Sequence, residues 1–376
     1  MSSRPPLRVV IAGGGTGGHL FPGLAVAREI VRRDPNARVT FAGTAGGIES
    51  RVVRHAGFEL DLIRSGGLKG KSWTTRLGGV ALLPLGALDA WRLISRRSPR
   101  VVVGVGGYSS GPVVALAATR GIPTLLLEQN AVPGLTNRLL APIVRSAAVT
   151  YELSLPYFKG KGFVSGNPVR PEFLAIGDRA HDASKLRVLI FGGSQGAHAI
   201  NLAVVEAAPR LAAAADRLDV TCQTGERDLV MVREACRRNG LDARVEPFFA
   251  AMDCEVSAAG LVVCRAGATT LAEVTAAGRP AILIPLPKAT DDHQRKNAEV
   301  LRQAAAAEVV DQTVLTGSLL ADRILALAAD PERRAAMGAA ARRLARPDAA
   351  IRIVDRVIEL AEGHAPASGA GADARG

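Results

Sequence analysis

Arg8-Val-Val-Ile-Ala-Gly-Gly-Gly-Thr-Gly-Gly-His19 aligns without a gap on Arg187-Val-Leu-Ile-Phe-Gly-Gly-Ser-Gln-Gly-Ala-His198. Each segment is a short apolar run, a glycine-rich turn and then a helical stretch, the opening of a nucleotide-binding βαβ unit. Two such openings imply two Rossmann-like halves. A later pair repeats the pattern. Val101-Val-Val-Gly-Val-Gly-Gly107 leads through a helix to Gly121-Ile-Pro123 and a strand from Thr124 to Leu127; Leu261-Val-Val-Cys-Arg-Ala-Gly267 leads to Gly278-Arg-Pro280 and a strand from Ala281 to Ile284. In both, Gly ends the helix and Pro prevents its continuation.

The chain has 376 residues, 48% of them hydrophobic and 4% aromatic. That length exceeds a single ordinary core, and the Ala, Val, Leu and Gly content suits helices packed closely on parallel strands, an α/β class. The expected division is residues 1–166 and 167–345, with the joint near Gly166-Asn-Pro-Val-Arg-Pro171. A terminal helix over 346–363 and a disordered tail over 364–376 complete it. Cys222, Cys236, Cys254 and Cys264 lack paired spacing and read as reduced, buried small hydrophobes. No signal-peptide pattern and no apolar stretch of about 20 residues is present, so an integral membrane protein is excluded. The net charge is +12, with 21 Lys and Arg against 8 Asp and Glu in residues 1–166 and 26 against 27 in the remainder. The excess positive charge therefore lies in the first half, and points to an anionic partner there.

The turn Gly13–Gly18 leaves backbone N–H groups uncovered at a helix N-terminus, an arrangement that binds phosphate. A dinucleotide site would carry an acid at the end of the second strand, but that strand, Arg38 to Ala42, ends in Gly43-Thr44. A better acidic candidate is Glu273, six residues after Gly267, placed one turn into a helix where a carboxylate could accept from both ribose hydroxyls. No D-x-D motif occurs. A leaving diphosphate would then be stabilised by helix N-termini, hydroxyls and cationic side chains.

Apolar side chains recur at Leu77, Val80, Ala81, Leu85, Leu88 and Trp91 at helical spacing. Lys69, Lys71 and Arg76 precede them, and Arg92, Arg96, Arg97 and Arg100 follow. Such a stripe suits either a helix resting on an anionic bilayer or a core-facing helix with solvated cations; periodicity does not separate the two.

Taken together, Gly14-Gly-Thr-Gly-Gly-His-Leu-Phe-Pro-Gly-Leu-Ala25, Gly106-Gly-Tyr-Ser-Ser-Gly-Pro112, Glu128-Gln-Asn130, Gly166-Asn-Pro-Val-Arg170, Gly192-Gly-Ser-Gln-Gly-Ala197, Cys264-Arg-Ala-Gly-Ala268 and His293-Gln294 followed by Asn297-Ala298 resemble the MurG family of N-acetylglucosaminyl transferases. They span about three hundred residues in the family's order. The resemblance implies a GT-B fold, two Rossmann-like doubly wound parallel-sheet domains facing across a cleft, with the last helix crossing back to the first domain. It implies an inverting transfer of N-acetylglucosamine from UDP-N-acetylglucosamine to the 4-hydroxyl of N-acetylmuramic acid in lipid I, giving lipid II for peptidoglycan. No cofactor and no metal are implied. Ser194 would contact the diphosphate, Phe249 would offer backbone to the uracil, and Ala268, Thr269, Thr270, Leu271, Ala272 and Glu273 would hold diphosphate and ribose. Thr16, Gly17, Gly18, Asn130, Arg170 and Gln294 would surround the sugar and phosphates. One departure is Leu127, where the family often has His.

His19, just after the first glycine turn, is the candidate general base, because histidine titrates nearest neutrality. The implied location is the cytoplasmic face of the bacterial inner membrane, peripherally bound, with an anionic lipid surface and cell-wall synthesis and division proteins as further partners. The nearest alternative is another UDP-sugar enzyme of the same fold, such as a UDP-N-acetylglucosamine 2-epimerase. A dehydrogenase is weakened by the missing acid, a non-catalytic nucleotide-binding scaffold by the co-occurrence of His19, Arg170 and Glu273. Nucleic-acid binding is the bland alternative for the basic half, and the lack of clustered aromatics argues against a single-strand binder.

Overall fold

A computed structural model describes residues 6–46, 49–65, 83–175, 185–287 and 292–363. Seven parallel strands form one sheet: β1 (Arg8–Gly13), β2 (Arg38–Gly43), β3 (Glu59–Leu62), β4 (Val101–Gly106), β5 (Thr124–Glu128), β6 (Ser146–Val149) and β7 (Gly162–Val164), in the spatial order β3-β2-β1-β4-β5-β6-β7. Six form a second: β8 (Leu186–Phe191), β9 (Leu218–Gln223), β10 (Ala243–Glu246), β11 (Leu261–Cys264), β12 (Ala281–Leu283) and β13 (Ala307–Val309), ordered β10-β9-β8-β11-β12-β13. Every recorded pairing is parallel.

These strands read as nearly unbroken apolar runs because both sheet faces are covered. β4 is buried at all six positions. Over one face of the first sheet lie the helices Gly17–Arg33 and Ala349–Glu362, which bring Leu24, Ile30, Ile353, Val354 and Val357 into one core. On the other face, Leu83–Arg97, Ser110–Thr119 and Leu135–Leu140 contribute Leu93, Ile94, Val113, Val114 and Leu140. The second sheet is sandwiched likewise, with Ile200, Val204, Leu320 and Ile324 on one side and Leu271, Val274 and Leu301 on the other.

The chain divides into two compact units. One holds the chain up to Pro168 and resumes at Asp348; the other runs Val169–Pro347. The Ala/Arg-rich end is two helices, Pro331–Leu344 in the second unit and Ala349–Glu362 in the first, parted at Pro347. Pro331 opens the former, where no N–H is needed, and the Asp330 carboxylate accepts from the Arg333 N–H at 2.9 Å. Ala349–Glu362 is tied down by more than its apolar stripe, since Arg100 donates to the Ala361 carbonyl (2.7 Å) and Arg356 to the Ser146 hydroxyl (3.2 Å).

One expectation is corrected. Cys222, Cys236 and Cys264 are buried, but Cys254 is exposed. It faces solvent on the short helix Met252–Ala258, whose inward positions are Glu255 and Val256. The adjacent Asp253 carboxylate pushes its thiol up, so exposure does not make it a nucleophile.

Candidate functional site

In each sheet the chain reverses its direction of propagation at one place, between β1 and β4 and between β8 and β11. Open parallel sheets bind ligands beyond the carboxyl ends of the strands at this point. Both glycine turns lie there, one in each unit.

In the first unit the turn after β1 needs glycine for two different reasons. Gly13, Gly14 and Gly15 have φ of +143°, +154° and +87°. A Cβ on Gly13 would also lie 2.4 Å from the Gly106 carbonyl, and one on Gly107 would lie 2.6 Å from the Gly14 carbonyl. The turns after β1 and β4 are thus pressed backbone to backbone. Thr16 is the extended residue before the helix Gly17–Arg33, and Gly17 and Gly18 are its first two positions. His19 is half-buried; its Nδ1 lies 3.3 Å from the Gln129 Oε1, and Gln129 in turn donates from Nε2 to the Val105 carbonyl at 3.1 Å. A Cβ on Gly106 would stand 2.8 Å from the ring.

The expectation that this turn's N–H groups stand uncovered is wrong at Gly15. Its N–H donates to the Glu49 carboxylate (3.1 Å), which also accepts from the Thr44 N–H (2.9 Å) and hydroxyl (2.8 Å). Glu49 is fully buried. Burial pushes its carboxyl up, but the donors from Thr44, Glu49's own N–H and Gly15 outweigh it and hold it below the ordinary 4.5. An acid does follow the second strand, then, but it is folded inward onto the glycine turn.

Asn130 follows β5 one residue after Gln129. Its N–H and side-chain amide both donate to Glu128 Oε1 (3.0 and 3.2 Å), while Glu128 Oε2 accepts from the Gly134 N–H (3.1 Å) and Asn137 (2.8 Å). Burial pushes the Glu128 carboxyl up, against the pull of those four donors. Leu127 points into the core and plays no part in this; the loop from Asn130 to Asn137 orients Glu128.

In the second unit the turn after β8 is locked by interpenetrating backbones. A Cβ on Gly196 would fall 1.8 Å from the Thr224 carbonyl and one on Gly225 2.2 Å from the Gln195 carbonyl. Gln223, the buried last residue of β9, donates to the Gly193 carbonyl (2.9 Å) and accepts from the Phe249 N–H (2.8 Å). It therefore couples the turn carrying the exposed Ser194 to the backbone of Phe249, whose N–H is engaged and whose ring is core. His198, the partner of His19 in the repeat, is held by both Asp228 carboxylate oxygens at 3.0 Å, and Asn201 donates to Asp228 at 2.8 Å.

β11 pairs directly with β8, so the helix Ala268–Ala276 begins beside the Ser194 turn. The side chains of Ala268 and Leu271 turn into the core, and the Leu271 N–H donates to the Gly267 carbonyl (2.9 Å); Thr269, Thr270, Ala272 and Glu273 are half-buried. Glu273 Oε1 accepts from Arg170 Nε (3.0 Å) and Nη2 (2.9 Å), and the guanidinium stacks 4.6 Å from the Phe173 ring centre. Burial raises the Glu273 carboxyl and Arg170 opposes it. Gln294 accepts from the Leu286 N–H (2.9 Å) beyond β12.

The structure thus groups Thr16, Gly17, Gly18, His19 and Asn130 in one unit, and Arg170, Ser194, Phe249, Ala268 to Glu273 and Gln294 in the other. Sequence reading assigned no role to Glu49, Gln129, Gln223 or Asp228. A polar residue closing an apolar strand, as in Val-Thr-Cys-Gln223, is the signal that would have found Gln223.

Of the apolar stripe, Leu77, Val80, Ala81 and the cations Lys69, Lys71 and Arg76 lie outside the described residues. On Leu83–Arg97, Ala90, Leu93 and Ile94 face the core while Leu85, Leu88 and Trp91 are 39%, 40% and 53% exposed. Arg92 is exposed beside them, whereas Arg96 and Arg97 pair with Asp61. Among the described residues no helix is long and apolar enough to cross a membrane.

Residues 9–149 match the glycosyltransferase family 28 N-terminal domain and residues 187–353 its C-terminal domain. The chain is 47% identical over 356 residues to the UDP-N-acetylglucosamine–N-acetylmuramyl-(pentapeptide) pyrophosphoryl-undecaprenol N-acetylglucosamine transferase of Anaeromyxobacter sp. strain K, covering 94% of this chain and 93% of that one. It is 45% identical to the transferase of the same name from Pelobacter propionicus, covering 94% and 99%. The crystal structure of Acinetobacter baumannii MurG superposes with a TM-score of 0.77 at 29% identity, over 94% of this chain and all of that one. A Neisseria meningitidis UDP-GlcNAc 2-epimerase, at 13% identity and a TM-score of 0.67 over 94% of this chain and all of that one, shares the fold alone. With both halves matched and relatives similar along nearly their whole length, this chain belongs to glycosyltransferase family 28.

Proposed function

We propose that this chain transfers N-acetylglucosamine from UDP-N-acetylglucosamine to the 4-hydroxyl of N-acetylmuramic acid in undecaprenyl-pyrophosphoryl-MurNAc-pentapeptide (lipid I), forming lipid II. The observation that carries this reading is 47% identity, maintained over 94% of the chain, to transferases named for that reaction. The second unit holds the donor: N–H groups of the Ser194 turn and of the helix starting at Ala268 meet the diphosphate, the Phe249 backbone meets the uracil, and Glu273, oriented by Arg170, meets the ribose. Gln294 and Arg170 border the sugar. The first unit supplies Thr16, Gly17, Gly18 and Asn130 to the sugar and phosphates and His19 as base.

The acceptor oxygen attacks the anomeric carbon as its proton passes to His19. The bond from that carbon to the diphosphate oxygen breaks, its electron pair leaves with UDP, and the configuration inverts. Incubation with labelled UDP-N-acetylglucosamine and a short-chain lipid I analogue tests this: a β-linked disaccharide-lipid is expected. Epimerised sugar nucleotide formed without acceptor would overturn it in favour of the epimerase.

The enzyme works at the cytoplasmic face of the membrane, bound peripherally through the exposed Leu85, Leu88 and Trp91 with Arg92. Arg97 is a poor probe of this, because reversing it would also break its pair with Asp61. Leu88→Glu with Trp91→Glu should abolish sedimentation with phosphatidylglycerol vesicles at low salt and leave UDP affinity unchanged. Equal binding by the double variant would reject this surface.

A further inference from the structure

We propose that Gln129 is a positioning residue which decides the tautomer of His19, placing the proton on Nδ1 and the lone pair on Nε2. The inference rests on the reading of His19 as the base, and it names what prepares the ring for that task. The Val105 carbonyl only accepts, so the Gln129 atom 3.1 Å from it is the amide nitrogen. The other end of the same amide, Oε1, then faces His19 Nδ1 at 3.3 Å. Oxygen there is an acceptor, so Nδ1 carries hydrogen, and in a neutral imidazole the lone pair falls on Nε2.

Neither partner is free to rearrange. Gln129 is 2% exposed, and rotating its amide would turn oxygen toward the Val105 carbonyl and lose both contacts. The ring itself is seated over Gly106, where any side chain would intrude: a Cβ would stand 2.8 Å from Nδ1 and 2.9 Å from Cε1. Val105 and Gly106 end β4 and Gln129 follows β5, the strand paired with it, so the frame around the ring is built from the sheet itself.

The orienting group is neutral, unlike the carboxylate that holds His198 in the other unit. An amide fixes the tautomer without adding a charge that would favour the imidazolium. The carboxylates on neighbouring segments, Glu49 and Glu128, are turned to other donors, on Gly15 and Thr44 and on the loop from Asn130 to Asn137.

The experiment uses full-length protein labelled with 15N-histidine, with two-bond proton–nitrogen correlation spectra read at neutral pH and His19 assigned by its loss in His19→Asn. The wild type should show a protonated Nδ1 and an unprotonated Nε2; the opposite tautomer would overturn the proposal without any variant. Gln129→Leu should lose the Nδ1–H tautomer and lower kcat about 10–100-fold, with UDP affinity little changed and the thermal midpoint lowered because the Val105 carbonyl loses its donor. Gln129→Glu should restore the tautomer and move the acidic limb of kcat/KM to higher pH, because a carboxylate stabilises the imidazolium. If Gln129→Leu keeps both the tautomer and kcat, Gln129 does not position the ring. His19→Ala with near-normal turnover would remove the base reading, while the tautomer read from the wild-type spectra would still stand, so the two failures are distinguishable.

Discussion

The turns Gly13–Gly18 and Gly192–Ala197 begin from matching sequence and equivalent strands, yet their surroundings treat them differently. In the first unit a carboxylate from after the second strand, Glu49, sits on the turn's own N–H at Gly15, and the histidine opening the helix is held by a neutral amide. In the second unit the carboxylate from after the second strand, Asp228, holds the histidine instead, and an amide, Gln223, holds the turn through the Gly193 carbonyl. In both units a carboxylate from the segment after the second strand is directed inward, while the strand itself does not end in the acid that a dinucleotide-binding fold would present to a ribose. A repeated backbone therefore does not imply a repeated site, since the side chains reaching the turn from the next strand set its charge and its rigidity.

The largest expected contrast is between the two aligned histidines. His19→Ala should lower kcat by about 10²–10⁴, the range of a lost general base. His198→Ala should hold kcat within about threefold and cost stability of about 1–2 kcal/mol, by leaving Asp228 short of a partner. Steady-state rates and denaturant melts of the two variants check this; equal losses of kcat would erase the distinction.

Next come the glycines. Gly196→Ala combines a φ of +73° with a Cβ 1.8 Å from a carbonyl, and should destabilise by about 2–5 kcal/mol. Gly15→Ala, at φ +87° with nothing within 4 Å, should cost only about 1–2 kcal/mol. Matching midpoints in urea would show that the interlocked backbones of the second turn carry no strain of their own.

Glu49 sharpens the comparison through pH. Its carboxyl is depressed in the folded protein, so its contribution is complete above the ordinary value of 4.5 and is lost as pH falls through the lower folded value. Glu49→Gln should cost about 1–3 kcal/mol near neutrality, since the amide nitrogen meets the Gly15 N–H donor to donor, and should flatten this part of the acid limb of stability. Thermal midpoints between pH 3 and 7 would reveal an unaltered limb if the carboxylate did not matter.

An effect of similar size concerns the donor. Glu273→Ala should weaken UDP binding by about 1.5–3 kcal/mol and raise the donor KM more than it lowers kcat. Calorimetry showing unchanged UDP affinity would return Glu273 to a purely structural pair with Arg170.

The two openings and the second pair at Val101 and Leu261 were legible because each is a local event: an apolar run long enough for a buried strand, then glycines that only a turn requires. Glu273 was legible for the same reason, since helix geometry places it relative to Gly267. Glu49, Gln129 and Gln223 were not. Their partners lie 34, 110 and 30 residues away, and nothing in the local pattern says which side of a strand end a polar group will reach. The stripe near Trp91 was legible as a helix face and ambiguous in direction, because amphipathicity records that one side is buried and not which.

By itself, the sequence determined two Rossmann-like halves, the glycine turns at their strand ends and the residue types available for proton transfer and phosphate binding. These follow from backbone sterics and periodicity, which act over a few residues. Only the tertiary structure decided that the first turn is gripped by its own carboxylate, that His19 meets an amide while His198 meets an acid, and that Arg170 reaches Glu273. Hydrogen-bond partners across a sheet are fixed by strand order and register, and these are set when the whole core closes.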